Sequence, residues 1–134
     1  MTGTYVTIEV LGVKYILDTA VETIKILEDL NVSATTPQSF TDQSTGADYQ
    51  VPVGKTFKCL GVLWGDMATA GSVLIYQGDT ADAITLLKAT IGTAAGNQPK
   101  QLPASFTIAA QKYVTHDASA ANVCADMILV GIEY

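Results

Sequence analysis

The stretch Thr56-Phe-Lys-Cys-Leu-Gly-Val-Leu-Trp64 decides the fold class. Phe57, Cys59, Gly61 and Leu63 alternate with Thr56, Lys58, Leu60, Val62 and Trp64, and a period of two is the signature of a β-strand. Both faces become apolar toward Trp64, so that end is expected to be buried on both sides. Downstream, segments 72–77, 104–109, 112–115 and 123–134 read as further strands, with turn signals at the intervals of a sandwich or barrel. Segment 83–88 fits a strand or a short helix. The loop reading falls on 92–100, Gly-Thr-Ala-Ala-Gly-Asn-Gln-Pro-Lys.

Upstream, Val6, Ile8 and Val10 alternate with Tyr5, Thr7 and Glu9, and residues 13–17 resume the pattern after Leu11-Gly12. That is a hairpin signal. The next segment is ambiguous. Thr19-Ala-Val-Glu22 fits a capping box, and Ala20, Ile24, Leu27 and Leu30 share one helical face. Against this, Val21, Thr23, Ile24 and Ile26 are β-branched. A short helix is the expectation here. Residues 31–50 are rich in Ser and Thr, lack lysine and show no periodicity. They read as a long solvated loop pinned by its only large apolar groups, Phe40 and Tyr49, or as a polar arm that becomes ordered on a partner surface. The chain of 134 residues is thus expected to be one domain: an N-terminal hairpin and helix in 1–30, the arm in 31–50, and a β-sandwich body of jelly-roll type in 51–134.

Composition narrows the function classes. Hydrophobic residues make up 49% and charged residues 15%, which excludes intrinsic disorder. Thirteen acidic residues against seven basic ones give a net charge of −6, and every basic residue is a lysine. Without arginine or a basic cluster, the sequence argues against nucleic acid and against an anionic membrane surface as partners. The start, Met1-Thr-Gly-Thr-Tyr5, does not read as a secretory signal. Cys59 and Cys124 lack the close spacing of a zinc or redox site and read as buried thiols. Asn31-Val-Ser33 matches a glycosylation sequon, which matters only in a secreted eukaryotic chain.

Candidate chemistry falls away on inspection. Gly54-Lys55-Thr56 lacks the glycine five positions earlier that a phosphate loop needs, where Tyr49 stands. His116 is the only histidine; no nucleophile is identifiable for it, and after Tyr113-Val-Thr115 it reads as a solvent-facing residue at a strand end. Asp79 with Asp82, and Asp42 with Asp48, are too few ligands for calcium. Neither a catalytic residue nor a metal or cofactor is expected, and the chain does not read as an enzyme. A glycan-gripping surface needs exposed rings, for which Phe40, Tyr49 and Trp64 are the candidates; the same three are the expected partner-interface residues.

One internal echo stands out. Val51-Pro-Val-Gly-Lys-Thr-Phe57 and Ile108-Ala-Ala-Gln-Lys-Tyr-Val114 each read as a tight turn feeding a strand, placed at matching points of two sheet halves. Together with Tyr49-Gln50 and the turn Tyr76-Gln-Gly-Asp79, these segments resemble the small β-sandwich structural proteins of tailed bacteriophages. Those include capsid decoration (cement) proteins and fibre domains. The resemblance spans about residues 49–134 and brings no catalytic residues with it. It implies a virion protein assembled in the host cytoplasm, a homo-oligomer expected as a trimer, bound to a phage capsid or tail protein. A carbohydrate- or receptor-binding module of a fibre is the alternative.

Overall fold

The computed structural model describes residues 4–29, 38–64, 71–77, 84–91, 101–118 and 126–134, with backbone alone at 84–91 and 102. Every regular element among them is a strand. The order is β1 (Tyr5–Val10), β2 (Val13–Asp18), β3 (Thr23–Asp29), β4 (Gln38–Ser39), β5 (Thr41–Asp42) and β6 (Phe57–Trp64). It continues with β7 (Gly71–Gln77), β8 (Ile84–Ile91), β9 (Gln101–Pro103), β10 (Thr107–Ile108), β11 (Val114–Ala118) and β12 (Met127–Glu133). The first sheet runs β10–β6–β12–β3–β5, with β9 joining β6 beside β10. A second sheet runs β4–β11–β7–β8, and β1–β2 form a separate ribbon. Because the chain crosses repeatedly between the two sheets, most sheet neighbours are far apart in sequence, as in Greek-key sandwiches.

The two sheets meet through one apolar cluster. Leu27, Phe57, Val62, Met127 and Leu129 contribute from the first sheet, and Val73, Ile75 and Val114 from the second. A smaller cluster forms on the other face of the first sheet, where Leu60 and Ile132 pack under Val10 and Leu17 of the ribbon. The architecture is therefore three layers deep at β6 and β12. A two-stranded ribbon is marginal alone, so this apolar contact holds it in place.

A bulge in β6 explains why its sequence is apolar on both faces. Gly131 stands opposite Cys59 and Val130 opposite Gly61, which leaves Leu60 as the extra residue. Before the bulge Phe57 and Cys59 face the sandwich core; after it Val62 and Trp64 do. Leu60 turns the other way and anchors the ribbon. The ribbon turns at Leu11 (φ 50°) and Gly12 (φ 84°), both left-handed, as the two-residue turn of a twisted hairpin requires. Gly61 lies beneath this turn: a Cβ there would stand 2.9 Å from Leu11 Cδ1.

Where a helix is expected in 19–30, the described residues form a turn followed by the strand β3, Thr23–Asp29. β3 pairs with β12 over seven residues, Thr23 to Asp29 against Glu133 to Met127. β-Branched residues and tertiary pairing override the helical spacing. The capping-box residues instead close a single turn. Val21 and Glu22 N–H donate to the Asp18 carbonyl at 3.1 and 2.8 Å, and Glu22 Oε1 accepts from Asp18 N–H at 2.9 Å. Residues 84–91 are likewise a strand.

Over the described residues 38–50, the segment expected as an arm or loop is pinned to the body by its two rings, Phe40 and Tyr49. Residues 38–50 are built into the body: β4 pairs with β11, and β5 pairs with β3. Phe40, between them, donates its N–H to Val114 O and accepts from Tyr49 N–H, both at 2.9 Å. Residues 31–37 lie outside those described, as do 92–100, the turn 78–80 and Cys124. The expected strands at 104–109, 112–115 and 123–134 are found at Thr107–Ile108, Val114–Ala118 and Met127–Glu133.

The echoed segments do sit at matching points. Lys55 N–H closes a turn on Pro52 O at 3.1 Å, and Lys112 N–H closes one on Ala109 O at 3.2 Å. The first feeds β6 and the second feeds β11, one in each sheet. The two turns also bind each other, through Val51 N–H to Lys112 O (3.0 Å) and Gln111 N–H to Val51 O (2.7 Å).

Candidate functional surface and buried polar pairs

Phe40, Tyr49 and Trp64 are core residues, with 0, 4 and 8% of their surfaces exposed. The Tyr49 ring meets Phe57 edge-on at 5.5 Å. None of the three presents a ring for a partner to stack on, so the exposed apolar surface lies elsewhere.

His116 is fully buried rather than solvent-facing. It lies inside β11, on the same face as Val114 and Ala118, both of them core residues. Its Nε2 stands 2.6 Å from Asp29 Oδ2 on β3, a polar link between the two sheets. The Phe40 ring packs against its edge with centroids 4.7 Å apart. Burial lowers its pKa below the ordinary 6.5, although Asp29 and Asp117 pull the other way. The neutral ring therefore donates from Nε2 to Asp29. An unfolded chain takes up a proton first as pH falls, so stability declines below about pH 6.5. His116 being the only histidine, urea titrations at pH 7 and pH 5 test this directly. The wild type should lose stability on acidification, by at most about 1.4 kcal/mol per pH unit, and His116→Gln should show a flat profile.

A second polar group closes the sandwich near the end of β12. Lys25 Nζ pairs with Asp42 Oδ2 at 3.0 Å, and Ser44 donates to Asp42 Oδ1 from N–H and Oγ at 2.9 and 2.7 Å. Burial acts to raise the Asp42 carboxyl, but the bonds from Ser44 and Lys25 outweigh it and hold the pKa below the usual carboxylate value. Tyr49 donates its hydroxyl to Glu133 at 2.7 Å; burial and that carboxylate push its pKa far up. These groups satisfy one another and serve the fold. Cys59 is a buried free thiol, pushed up to about 12 by burial and therefore unreactive at neutral pH.

The exposed apolar side chains are unevenly placed. Among the described residues, the large ones are Tyr5, Val6, Val13, Ile16, Val21, Ile24 and Ile26, joined only by Val53 and Tyr134. All but the last two fall in the ribbon, the turn after it and β3. On β3, Ile24 and Ile26 alternate with inward-facing Leu27 and Lys25, so they occupy the outer face of the first sheet beside the ribbon. A cleft of about 230 Å³ lies between the ribbon and that sheet, with Leu17, Leu60 and Ile132 in its lining and Tyr15, Glu22 and Tyr134 also bordering it. Alternation in residues 5–10 and 13–17 pointed to the ribbon, but its exposure follows only from how little of it the sheet covers.

No protein family and no curated protein matches this chain. Among solved structures, the nucleoplasmin-like N-terminal domain of Drosophila FKBP39 is similar at 13% identity, over 84% of this chain and 89% of that one. The TM-score is 0.44. At that level the likeness adds nothing to the architecture read from the strand pairings.

Proposed function

We propose that this chain is a non-enzymatic structural protein of a tailed-phage virion, a capsid decoration or cement protein that docks on the assembled particle. The concentration of exposed apolar side chains on the ribbon and the outer face of β3 is the observation that carries this reading. A protein that binds the assembled state better than free subunits stabilises that state by mass action. The resemblance of residues 49–134 to phage sandwich proteins and the low charge density support the same reading. With Phe40 and Tyr49 in the core, the attachment surface is assigned to the N-terminal region rather than to residues 38–50.

The test is co-sedimentation with particles of the phage whose genome carries the chain. Ile24→Lys combined with Ile26→Lys should leave the protein in the supernatant, with less than about 1 kcal/mol change in unfolding free energy. A wild-type chain that never sediments with particles overturns the reading. The alternative, a glycan-binding module, is favoured by one observation: Tyr15, Tyr134 and Glu22 border the same cleft. Binding on a glycan array that is lost in Tyr134→Ala would select it.

A further inference from the structure

Val53 and Ile16 are the two most exposed large apolar side chains among the described residues, at 76 and 74%. Val53 stands at the tip of a tight turn. Lys55 N–H closes that turn on Pro52 O, and Gly54 supplies the left-handed φ of 75° that its third position requires. The echoed turn has the same form, with Gln111 at φ 66° and Lys112 N–H closing on Ala109 O, yet it carries Ala110 where the first carries Val53. The turn itself therefore does not ask for a valine. Pro52 and the hydrogen bonds between the two turns hold the tip in place, so it has little freedom to lose on binding.

Ile16 rims the cleft between the ribbon and the first sheet. Buried Leu17, Leu60 and Ile132 make its floor, and Glu22 and Tyr134 complete the rim. Lys58 also lines it, and the aliphatic stem of that side chain adds apolar surface. Glu22 is positioned by the bond that its Oε1 accepts from Asp18 N–H, which leaves Oε2 for another donor. Lys55, beside Val53, is exposed, and among the described residues the ion pairs belong to Lys25 and His116. An exposed valine next to a cation thus complements an apolar hollow next to an anion. The two do not meet within one chain, because Val53 is not part of the cleft lining.

Knob and cleft lie at the same end of the molecule. Thr56 and Tyr134 exchange main-chain hydrogen bonds at 2.7 and 2.9 Å, and Tyr134 is on the rim. Val53 precedes Thr56 by three residues, no more than about 10 Å of chain. A two-fold axis between knob and cleft lets each copy seat its valine in the other, so the contact is made twice and the pair is closed. A knob far from its cleft would link copies into rings or open chains instead.

We propose that this cleft receives the Val53–Lys55 turn of a second copy of the chain, in a two-fold dimer. Val53 covers Ile16 and the apolar floor, and Lys55 Nζ meets Glu22 Oε2. The inference goes beyond the proposed function and uses neither Ile24 nor Ile26, the docking residues. It gives self-association two-fold order, where the phage resemblance implies a trimer, and it closes the cleft to the glycan of the alternative reading.

Size-exclusion chromatography with light scattering over a wide range of concentration tests it. The wild type should weigh as a dimer. Val53→Asp and Ile16→Asp alter exposed side chains on opposite sides of the contact, and each should weigh as a monomer with wild-type circular dichroism. Lys55→Glu sets a carboxylate against Glu22 and should weaken dimerisation about tenfold or more. Val53→Asp and Lys55→Glu decide the matter should Ile16→Asp lose its fold. A wild-type monomer at every concentration overturns the pairing, as does a trimer, or a dimer that Val53→Asp or Lys55→Glu leaves unchanged. Particle binding is read separately by sedimentation, so a monomer that still sediments overturns the pairing and spares the docking proposal.

Discussion

Phe40→Ala is expected to lower the unfolding free energy by about 3–5 kcal/mol, a large share of the roughly 5–15 kcal/mol that holds a domain together. The ring is fully buried at the point where the chain crosses from β4 in the second sheet to β5 in the first. It packs edge-on against His116, and its main chain bonds to Val114 and Tyr49. Removing it empties the space between the sheets beside the His116–Asp29 link, and neighbouring strands cannot collapse into the gap without breaking their pairing. Urea denaturation followed by circular dichroism measures the change. A loss below about 1 kcal/mol would return residues 38–50 to the standing of a surface arm.

Gly131→Val should be comparably damaging. A Cβ at Gly131 would overlap the Lys58 carbonyl and the ring of Phe57. The carbonyl is fixed because β6 and β12 pair on both sides of the bulge, and the ring is fully buried. Neither can yield cheaply, so the expected loss is about 3 kcal/mol, near the top of the usual overpacking range. A thermal scan should place the midpoint roughly 10 °C lower. Gly131→Ala should shift it in the same direction by less, and adding Phe57→Leu to Gly131→Ala should recover part of the loss. A wild-type midpoint in Gly131→Val would mean that the β6–β12 register differs from the one described.

Much of the architecture is written locally and was readable there. The alternation in residues 5–10 and 13–17 and the Leu11-Gly12 turn mark the ribbon; the echoed turns mark the starts of β6 and β11. What escaped depends on partners distant in sequence. Leu60 looks like any other strand residue until β12 is placed beside it, because a bulge exists only relative to a neighbour. The Thr19–Glu22 box and the Ala20, Ile24, Leu27, Leu30 spacing are real signals, but they yielded to seven residues of pairing with β12. His116 was readable in principle: Val114, His116 and Ala118 alternate inward, and extending the strand two residues further would have placed the imidazole inside. Phe40 and Tyr49 are large apolar groups in a polar stretch; burial explains them better than contact with a partner. The exposed groups of the ribbon and β3 carry no mark in the sequence, since outward and inward isoleucines are the same residue until a sheet covers one of them.

The position of β12 has a consequence for biosynthesis. This strand lies at the centre of the first sheet, between β6 and β3, although it comes last in the order of elements. A nascent chain thus cannot complete that sheet until residues 127–133 have left the ribosome, and until then β3 and β6 each lack a neighbour. The sandwich therefore closes only once β12 is available, and a polypeptide stalled before Met127 is a natural client for chaperones.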